Sequence, residues 1–311
     1  MTLSIVTTLY YSSPYIEEFY ERISKTAQQI TDDYEIIFVD DGSPDDSLQK
    51  AIALYQKDKR VKVIELSRNF QHHKAIVTGM QHAKGDYLFY IDIDLEEDPE
   101  VLKRFWDIME HNPTIDTVYG VQERRKGGWF EKISGTLFYK AYNHISDIKI
   151  PQNLVSARLF TQKANQAVLA YKERELCLAC IWHDIGFHQH EVVVKKRATS
   201  KTSYSLKRKI RLMTNAMLSF SNKPLLYIFN TGLFITVISF LYILKLVVDK
   251  LYFHIEVSGW TSLIVSIWFF GGLIIFFLGI IGMYIAKIFI ETKQRPYSII
   301  KKIHAKKGDP P

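Results

Sequence analysis

The chain has 311 residues, of which 47% are hydrophobic, 23% charged and 14% aromatic, and its net charge is +7. Such a length suits about two domains and needs no disulfide staples, and the composition excludes a disordered tail, a collagen-like repeat and a low-complexity linker. The basic balance suits a protein lying on anionic lipid, and no motif supports a nucleic-acid partner.

Residues 3–9 (LSIVTTL) form a short apolar run rich in β-branched residues and predict a strand. Residues 15–30 carry apolar positions at helical spacing, 35–40 (EIIFVD) predict a second strand, and 43–55 a helix with Pro44 in its first turn. Strands over 61–66, 86–92 and 117–121 then alternate with helices over 72–83 and 99–110. This alternation predicts an α/β domain with a mostly parallel sheet, whose ligands bind at the carboxyl ends of the strands. No Gly-x-Gly-x-x-Gly or P-loop follows a strand, so dehydrogenase or ATPase binding is not expected. Cys177 and Cys180 lie three apart in an apolar stretch. A zinc site there would need His183 or His188, and two buried small residues are the simpler expectation.

The C-terminal third differs in kind. Residues 225–248 are nearly free of charge, with Lys245 near the far end, and 261–286 contain no charged residue. Both exceed the ~20 residues that cross a hydrocarbon core, which predicts two membrane helices over about 225–248 and 261–288. The start of the chain lacks a basic n-region and reads as a strand rather than a secretory signal. Lys207, Arg208, Lys209 and Arg211 precede the first span, Lys293, Arg295, Lys301 and Lys302 follow the second, and the 249–260 connection carries only Lys250. The positive-inside rule then puts both ends in the cytoplasm. Residues 129–145 and 205–221 are apolar on one face and basic or polar on the other, the pattern of interfacial helices or of ordinary packing against a sheet. Gly232, Gly271, Gly272, Gly279 and Gly282 permit close helix contacts and hence a homo-oligomer, without specifying one.

Carboxylates mark the strand ends: Asp40-Asp41-Gly42-Ser43 after the second, and Asp92-Ile93-Asp94 followed by Leu95-Glu96-Glu97-Asp98-Pro99-Glu100 after the fourth. Glu97, Asp98 and Glu100 suit the positive end of the next helix. Asp92 and Asp94 face one way and repel unless a cation sits between them, which points to Mg²⁺ or Mn²⁺ and a phosphate-bearing substrate.

The order VDDGS, LSRNF, DxDL…PE, a helix pair and two spans resembles the glycosyltransferase family 2 enzymes that load a sugar onto a polyprenyl phosphate. The tail from Trp260 to Arg295-Pro296-Tyr297 resembles their two-span bacterial branch, the bactoprenol glucosyltransferases. The resemblance implies a Rossmann-like sheet of GT-A type in a cytoplasmic glycosyltransferase domain over 1–200. It further implies a juxtamembrane amphipathic helix over 201–223, membrane helices within 224–290 and a basic cytoplasmic tail over 291–311, in a bacterial inner membrane. The implied partners are a nucleotide-sugar donor, UDP-hexose by family default, and a polyprenyl (undecaprenyl) phosphate, in surface polysaccharide or O-antigen modification. By matching position, Tyr10, Asp40, Asp41, Arg68 and Asp92 are implied to hold the nucleotide, with His72 beside it. Asp92 and Asp94 bind the donor diphosphate through the metal. Arg125, Arg158 and Arg197 serve the acceptor phosphate and diphosphate, and Glu96, Ser156, Ser203 and Tyr204 line the donor and acceptor pocket.

The chain departs from the family pattern at several points. Thr8-Leu9-Tyr10-Tyr11-Ser12 replaces Pro-Val-Tyr-Asn-Glu, Glu96 replaces Gln, Gln122 replaces the first Arg of a pair, and Ser156 replaces an acid two residues before Arg158. An inverting transfer survives the last change, because a phosphate monoester, with a second pKa of about 6, is itself a nucleophile at neutral pH. Two alternatives stand beside this reading. One is a transferase acting on a lipid-linked sugar or polymer, although no QxxRW motif marks a processive synthase. The other is a catalytically weak homologue serving as a membrane scaffold.

Overall fold

The structure, a computed structural model, describes residues 2–122, 153–174, 176–196, 223–253 and 259–306. Strand β1 (Leu3–Leu9) is buried along its whole length, Ser4, Thr7 and Thr8 included. A central strand covered by helices on both faces has this character. Strands β2 (Tyr34–Asp40), β3 (Val61–Leu66) and β4 (Tyr87–Tyr90) run parallel to it. They are interleaved with helices α1 (Ile16–Gln28), α2 (Ser47–Lys57), α3 (His72–Gln81) and α4 (Val101–His111). In α1, Phe19, Ile23 and Ala27 are buried four residues apart, so one stripe meets the sheet.

The sheet continues through β5 (Thr117–Gln122), β6 (Leu154–Thr161) and β7 (Gln189–Val194), with α5 (Gln162–Ala170) and α6 (Leu178–Asp184) between the last two. Its order is β7-β5-β6-β4-β1-β2-β3-β8, where β8 is Ile300–His304. Only β6 and β8 oppose the common direction. Neighbours β2 and β4 flank β1 on opposite sides, and the carboxyl ends of all three open on one edge, the switch point of an open α/β sheet.

Three expectations need adjustment. The helix expected over 43–55 begins at Ser47, because the Asp45 carboxylate gathers the hydroxyls of Ser43 (2.6 Å) and Ser47 (2.5 Å) and the amides of Ser13 and Ser47 (both 3.2 Å). These bonds hold Asp45 down at about 2 against the upward push of desolvation. Cys177 and Cys180 are joined by a disulfide at the start of α6 rather than packed as free thiols. Residues 291–311 are not simply a tail, since β8 pairs antiparallel with β3 and closes the edge of the sheet.

A separate unit holds two long helices, α7 (Lys223–Phe253) and α8 (Trp260–Thr292). Among the described residues one helix, Ser266–Thr292, is long and apolar enough to cross a membrane, and Leu225–Ile235 is a shorter apolar stretch. Large apolar side chains stand exposed on both, Phe229 at 65% and Trp268 at 79%. The expected interfacial helices over 129–145 and 205–221 lie outside the described residues.

Candidate active site

Asp92 lies two residues beyond β4, and Tyr90 ends that strand. The Tyr90 hydroxyl donates to Asp92 Oδ1, and His72 Nε2 lies 3.4 Å from the same oxygen and 3.1 Å from the Tyr90 hydroxyl. The other ring nitrogen, Nδ1, meets Thr8 Oγ1 at 3.1 Å. His72 opens α3, and that helix is drawn onto the sheet at Gly79, where a Cβ would fall 2.4 Å from Val6 Cγ1 and 2.9 Å from Val39 Cγ2. Close packing of α3 thus delivers the imidazole to the carboxylate. Burial by itself would raise Asp92, but hydrogen bonding and charge from His72, with the Tyr90 hydroxyl, hold it at about 2. Burial pulls His72 down, and Asp92 overrides it and raises the imidazole above its ordinary value.

Asp94 behaves oppositely. Its Oδ1 accepts from Glu96 N at 3.0 Å, and its pKa is raised by desolvation and by the charges of Asp92 and Glu96. Lys196 partly balances the cluster, 3.0 Å from Glu96 Oε2 and 3.6 Å from Glu97 Oε1. Among the described residues no group of three or more His, Cys, Asp or Glu forms a ready-made metal centre. The donor set nevertheless fits a hard divalent cation. It consists of carboxylate oxygens at one strand end, and Asp94 is raised first by desolvation and then by the negative charges of Asp92 and Glu96.

Glu97 is not a helix-end acid as expected. It is buried, and its carboxylate accepts from Ser156 N (3.0 Å), Ser156 Oγ (2.9 Å) and Ala157 N (2.8 Å). Ser156 Oγ in turn lies 3.4 Å from Asp92 N, so Glu97, Ser156 and Asp92 form one chain from β6 to the acid pair. Asp98 and Glu100 lead into α4 as expected, Glu100 at its N-cap, and their carboxylates pair with Arg22 of α1.

Arg158 shares the face of Ser156, one pair deeper, between Tyr90 of β4 and Tyr119 of β5 in register. It is fully buried, its guanidinium 4.2 Å from the Trp182 ring and 4.9 Å from that of Tyr119, and among the described residues none of its three nitrogens has a hydrogen-bond partner. Burial lowers it to about 9. The expected role at an acceptor phosphate therefore meets a guanidinium enclosed by aromatic rings. Arg125, Arg197, Ser203 and Tyr204 lie outside the described residues.

On the other side of β1, Asp40 and Asp41 are both buried. Desolvation raises Asp40 to about 6, and the nearby acids Glu65 and Asp41 add to the rise. Asp41 Oδ1 accepts from Phe70 N at 2.6 Å, and Arg68 lies over the Phe70 ring at 4.1 Å. Tyr10 is half exposed at 49%, beside Tyr11, whose φ is +54°. The acids and Tyr10 thus gather at the strand ends, with Asp92, Asp94, Glu96 and Ser156 on one side and Tyr10, Asp40, Asp41 and Arg68 on the other. Sequence reasoning missed the roles of Thr8, Tyr90, Glu97 and Lys196. The one signal available was the surplus acid at Glu97 alongside the missing acid at Ser156.

This arrangement, six parallel strands interrupted by the reversed β6 and edged by the reversed β8, with acids at the switch point, is a GT-A type α/β fold. It is similar to that of a mannosyltransferase, PcManGT from Pyrobaculum calidifontis, solved with GDP-Man and Mn²⁺. The TM-score is 0.51 at 16% identity over 70% of this chain and 63% of that one. Residues 4–169 match Glycosyl transferase family 2, and the chain belongs to that family and is a glycosyltransferase. A chain of Mycobacterium tuberculosis (strain CDC 1551 / Oshkosh) assigned to the glycosyltransferases is 45% identical over 304 residues, 98% of this chain and 89% of that one. The SfII prophage-derived bactoprenol glucosyl transferase of Shigella flexneri is 32% identical over 313 residues, 100% of both chains.

Proposed function

We propose that the protein transfers a hexose from a nucleotide sugar, UDP-hexose in the first instance, to a polyprenyl phosphate at the cytoplasmic face of a bacterial inner membrane, with inversion at the anomeric carbon. The observation that carries this reading is the likeness to a bactoprenol glucosyl transferase along the full length of both chains, helical pair included. Asp40, Asp41, Arg68 and Tyr10 hold the nucleotide. Asp92 and Asp94 would hold Mg²⁺ or Mn²⁺, which when bound supplies charge neutralisation to the departing diphosphate. The acceptor phosphate is its own nucleophile, so the protein has to align two anionic partners and shield their charge. Arg125 and Arg197 serve that shielding, Arg158 lends positive potential from beneath Ser156, and Glu96, Ser203 and Tyr204 complete the pocket. Ser156 is bonded to the Glu97 carboxylate, so an acid stands beside the position of the lost one, which supports an enzyme over a membrane scaffold.

Chain connectivity supports two membrane crossings. Residues before the helical pair and the strand after it belong to one sheet-bearing unit. If Ser266–Thr292 crosses the bilayer once, β8 reaches β3 only when α7 crosses back. With 31 residues, α7 is about 46 Å long and suffices. A cysteine at Glu256 should then react with an impermeant thiol reagent added outside cells and one at Lys306 should not. The reverse labelling would overturn the orientation. For the activity, the purified protein with Mn²⁺, undecaprenyl phosphate and a panel of nucleotide sugars should yield a hexosyl lipid by mass spectrometry. A panel that gives only free sugar or no product would reject the acceptor or the reading as a whole.

A further inference from the structure

Among the described residues, the contacts made by the strand after the helical pair reach past the sheet edge to the loop that braces Asp41. Strand β8 pairs with β3 from His304↔Val63 to Ile300↔Leu66, with an irregularity between Glu65 and Leu66. At that irregularity the pairing continues into the loop, where Ser67 N donates to Ile299 O at 2.9 Å. The next residues are those already placed against Asp41, with Arg68 over Phe70 and Phe70 N on the carboxylate. The loop has no slack on its other side. Gly42 has φ +63°, and a Cβ there would lie 2.7 Å from both Arg68 C and Asn69 N, so the two backbones touch. A shift at Ser67 is therefore passed to Asp41 and Gly42 rather than absorbed. Three further bonds fix the same segment. Ser298 Oγ meets Thr78 Oγ1 of α3 at 2.6 Å, the Tyr297 hydroxyl donates to Tyr171 O at 2.9 Å, and the Tyr55 hydroxyl donates to Ala305 O at 2.9 Å. Lys301 Nζ reaches Glu65 at 2.6 Å.

We propose that residues 297–305 are a positioning element of the donor site: they seat the 67–71 loop against the Asp40–Gly42 turn, and affinity for the nucleoside diphosphate portion of the donor depends on them. The inference rests on the reading of Asp40, Asp41 and Arg68 as the nucleotide side of the site. It adds an order of events. These residues are made after the helical pair, so the donor site is complete only once the chain has passed through that pair and returned to the sheet.

The test uses the full chain. Ile303→Pro breaks the ladder opposite Ile64, and Ser298→Ala with Tyr55→Phe removes two side-chain tethers without touching the ladder. UDP and GDP binding with Mn²⁺ is measured by calorimetry, together with donor KM, acceptor KM, kcat and Tm. Both variants should weaken nucleotide binding and raise donor KM, about tenfold for the proline, with kcat and acceptor KM within about twofold, the signature of lost ground-state binding. Ile303→Val should match the parent. A lower Tm with unchanged donor KM in both variants overturns the proposal, because the strand then only stabilises the sheet. If the proline variant fails to fold, the double variant decides by the same criterion. Asp41→Asn separates the two levels. Unchanged nucleotide binding there removes the donor reading itself, whereas weakened binding there with unaltered β8 variants removes only the role of the strand.

Discussion

Asp40 and Asp92 occupy equivalent places, each at the carboxyl end of a parallel strand beside β1, yet their carboxyls sit near 6 and near 2. Desolvation pushes both upward. Around Asp40 the backbone amides of Ser43 and Gly42 offset desolvation only in part and the acids Glu65 and Asp41 add to it, whereas Asp92 is met by His72 and the Tyr90 hydroxyl. The same residue in the same topological position is thus set for two tasks. One is a protonatable acid, and the other is a fixed anion, which under the proposed function lies beside the divalent cation. The difference comes from α3 and Tyr90: His72 and the Tyr90 hydroxyl bond directly to Asp92, whereas Asp40 is met by the backbone amides of Ser43 and Gly42.

The comparison breaks most visibly at Asp94, on the anionic side. Asp94→Asn should lower kcat by about 10²–10³ and abolish the response to added Mn²⁺, with Tm little changed, since it removes one charge from a repelling cluster. Normal turnover of this variant with chelator present would end the cation assignment. Next in size is Glu97→Ala, which strands the amides of Ser156 and Ala157 and leaves Lys196 with one acid fewer. A loss of ~3 kcal/mol in denaturant unfolding is expected, and Glu97→Gln should recover part of it.

On the raised side the sign reverses. Below about pH 4 Asp40 is protonated in folded and unfolded chains alike. As pH climbs from 3.8 through about 6 the unfolded chain releases its proton first, so folded stability falls across that window. Asp40→Asn should therefore unfold at higher denaturant than the parent at pH 8, by up to ~3 kcal/mol, and converge with it near pH 4, while binding nucleotide less well. Parallel curves across that range would mean that Asp40 is not raised. The smallest effect belongs to Ser156→Ala, where one hydroxyl bridging Glu97 and the Asp92 amide is lost. The rate should fall less than about tenfold, ~1.4 kcal/mol. A larger loss with the true donor than with a deoxy analogue would make Ser156 a contact to a sugar hydroxyl.

Much of this was legible beforehand. The strand at 3–9 and the one at 61–66 coincide with β1 and β3, because short runs rich in β-branched and apolar residues between helical segments read as strands. Asp40, Asp41, Asp92 and Asp94 were legible for a related reason: acids directly after such runs have to sit at strand ends. Glu97 was misread because its chain neighbours, Asp98, Pro99 and Glu100, announce a helix start, while its partners lie on β6 some 59 residues away. Lys196, Tyr90 and the tie between His72 and Thr8 were hidden in the same way, being pairings between elements distant in sequence.

By itself, then, the sequence determined what depends on local periodicity and chain order: alternating strands and helices, acids at strand ends, and a long uncharged C-terminal pair of segments. Only the tertiary structure decided which acid carries which charge, since that depends on which helix end or strand arrives opposite it. It also decided that a basic stretch reading as a loose tail is an edge strand of the sheet. Lys301 and Lys302 suit a solvent-facing edge as well as a disordered end, and pairing with β3 distinguishes the two.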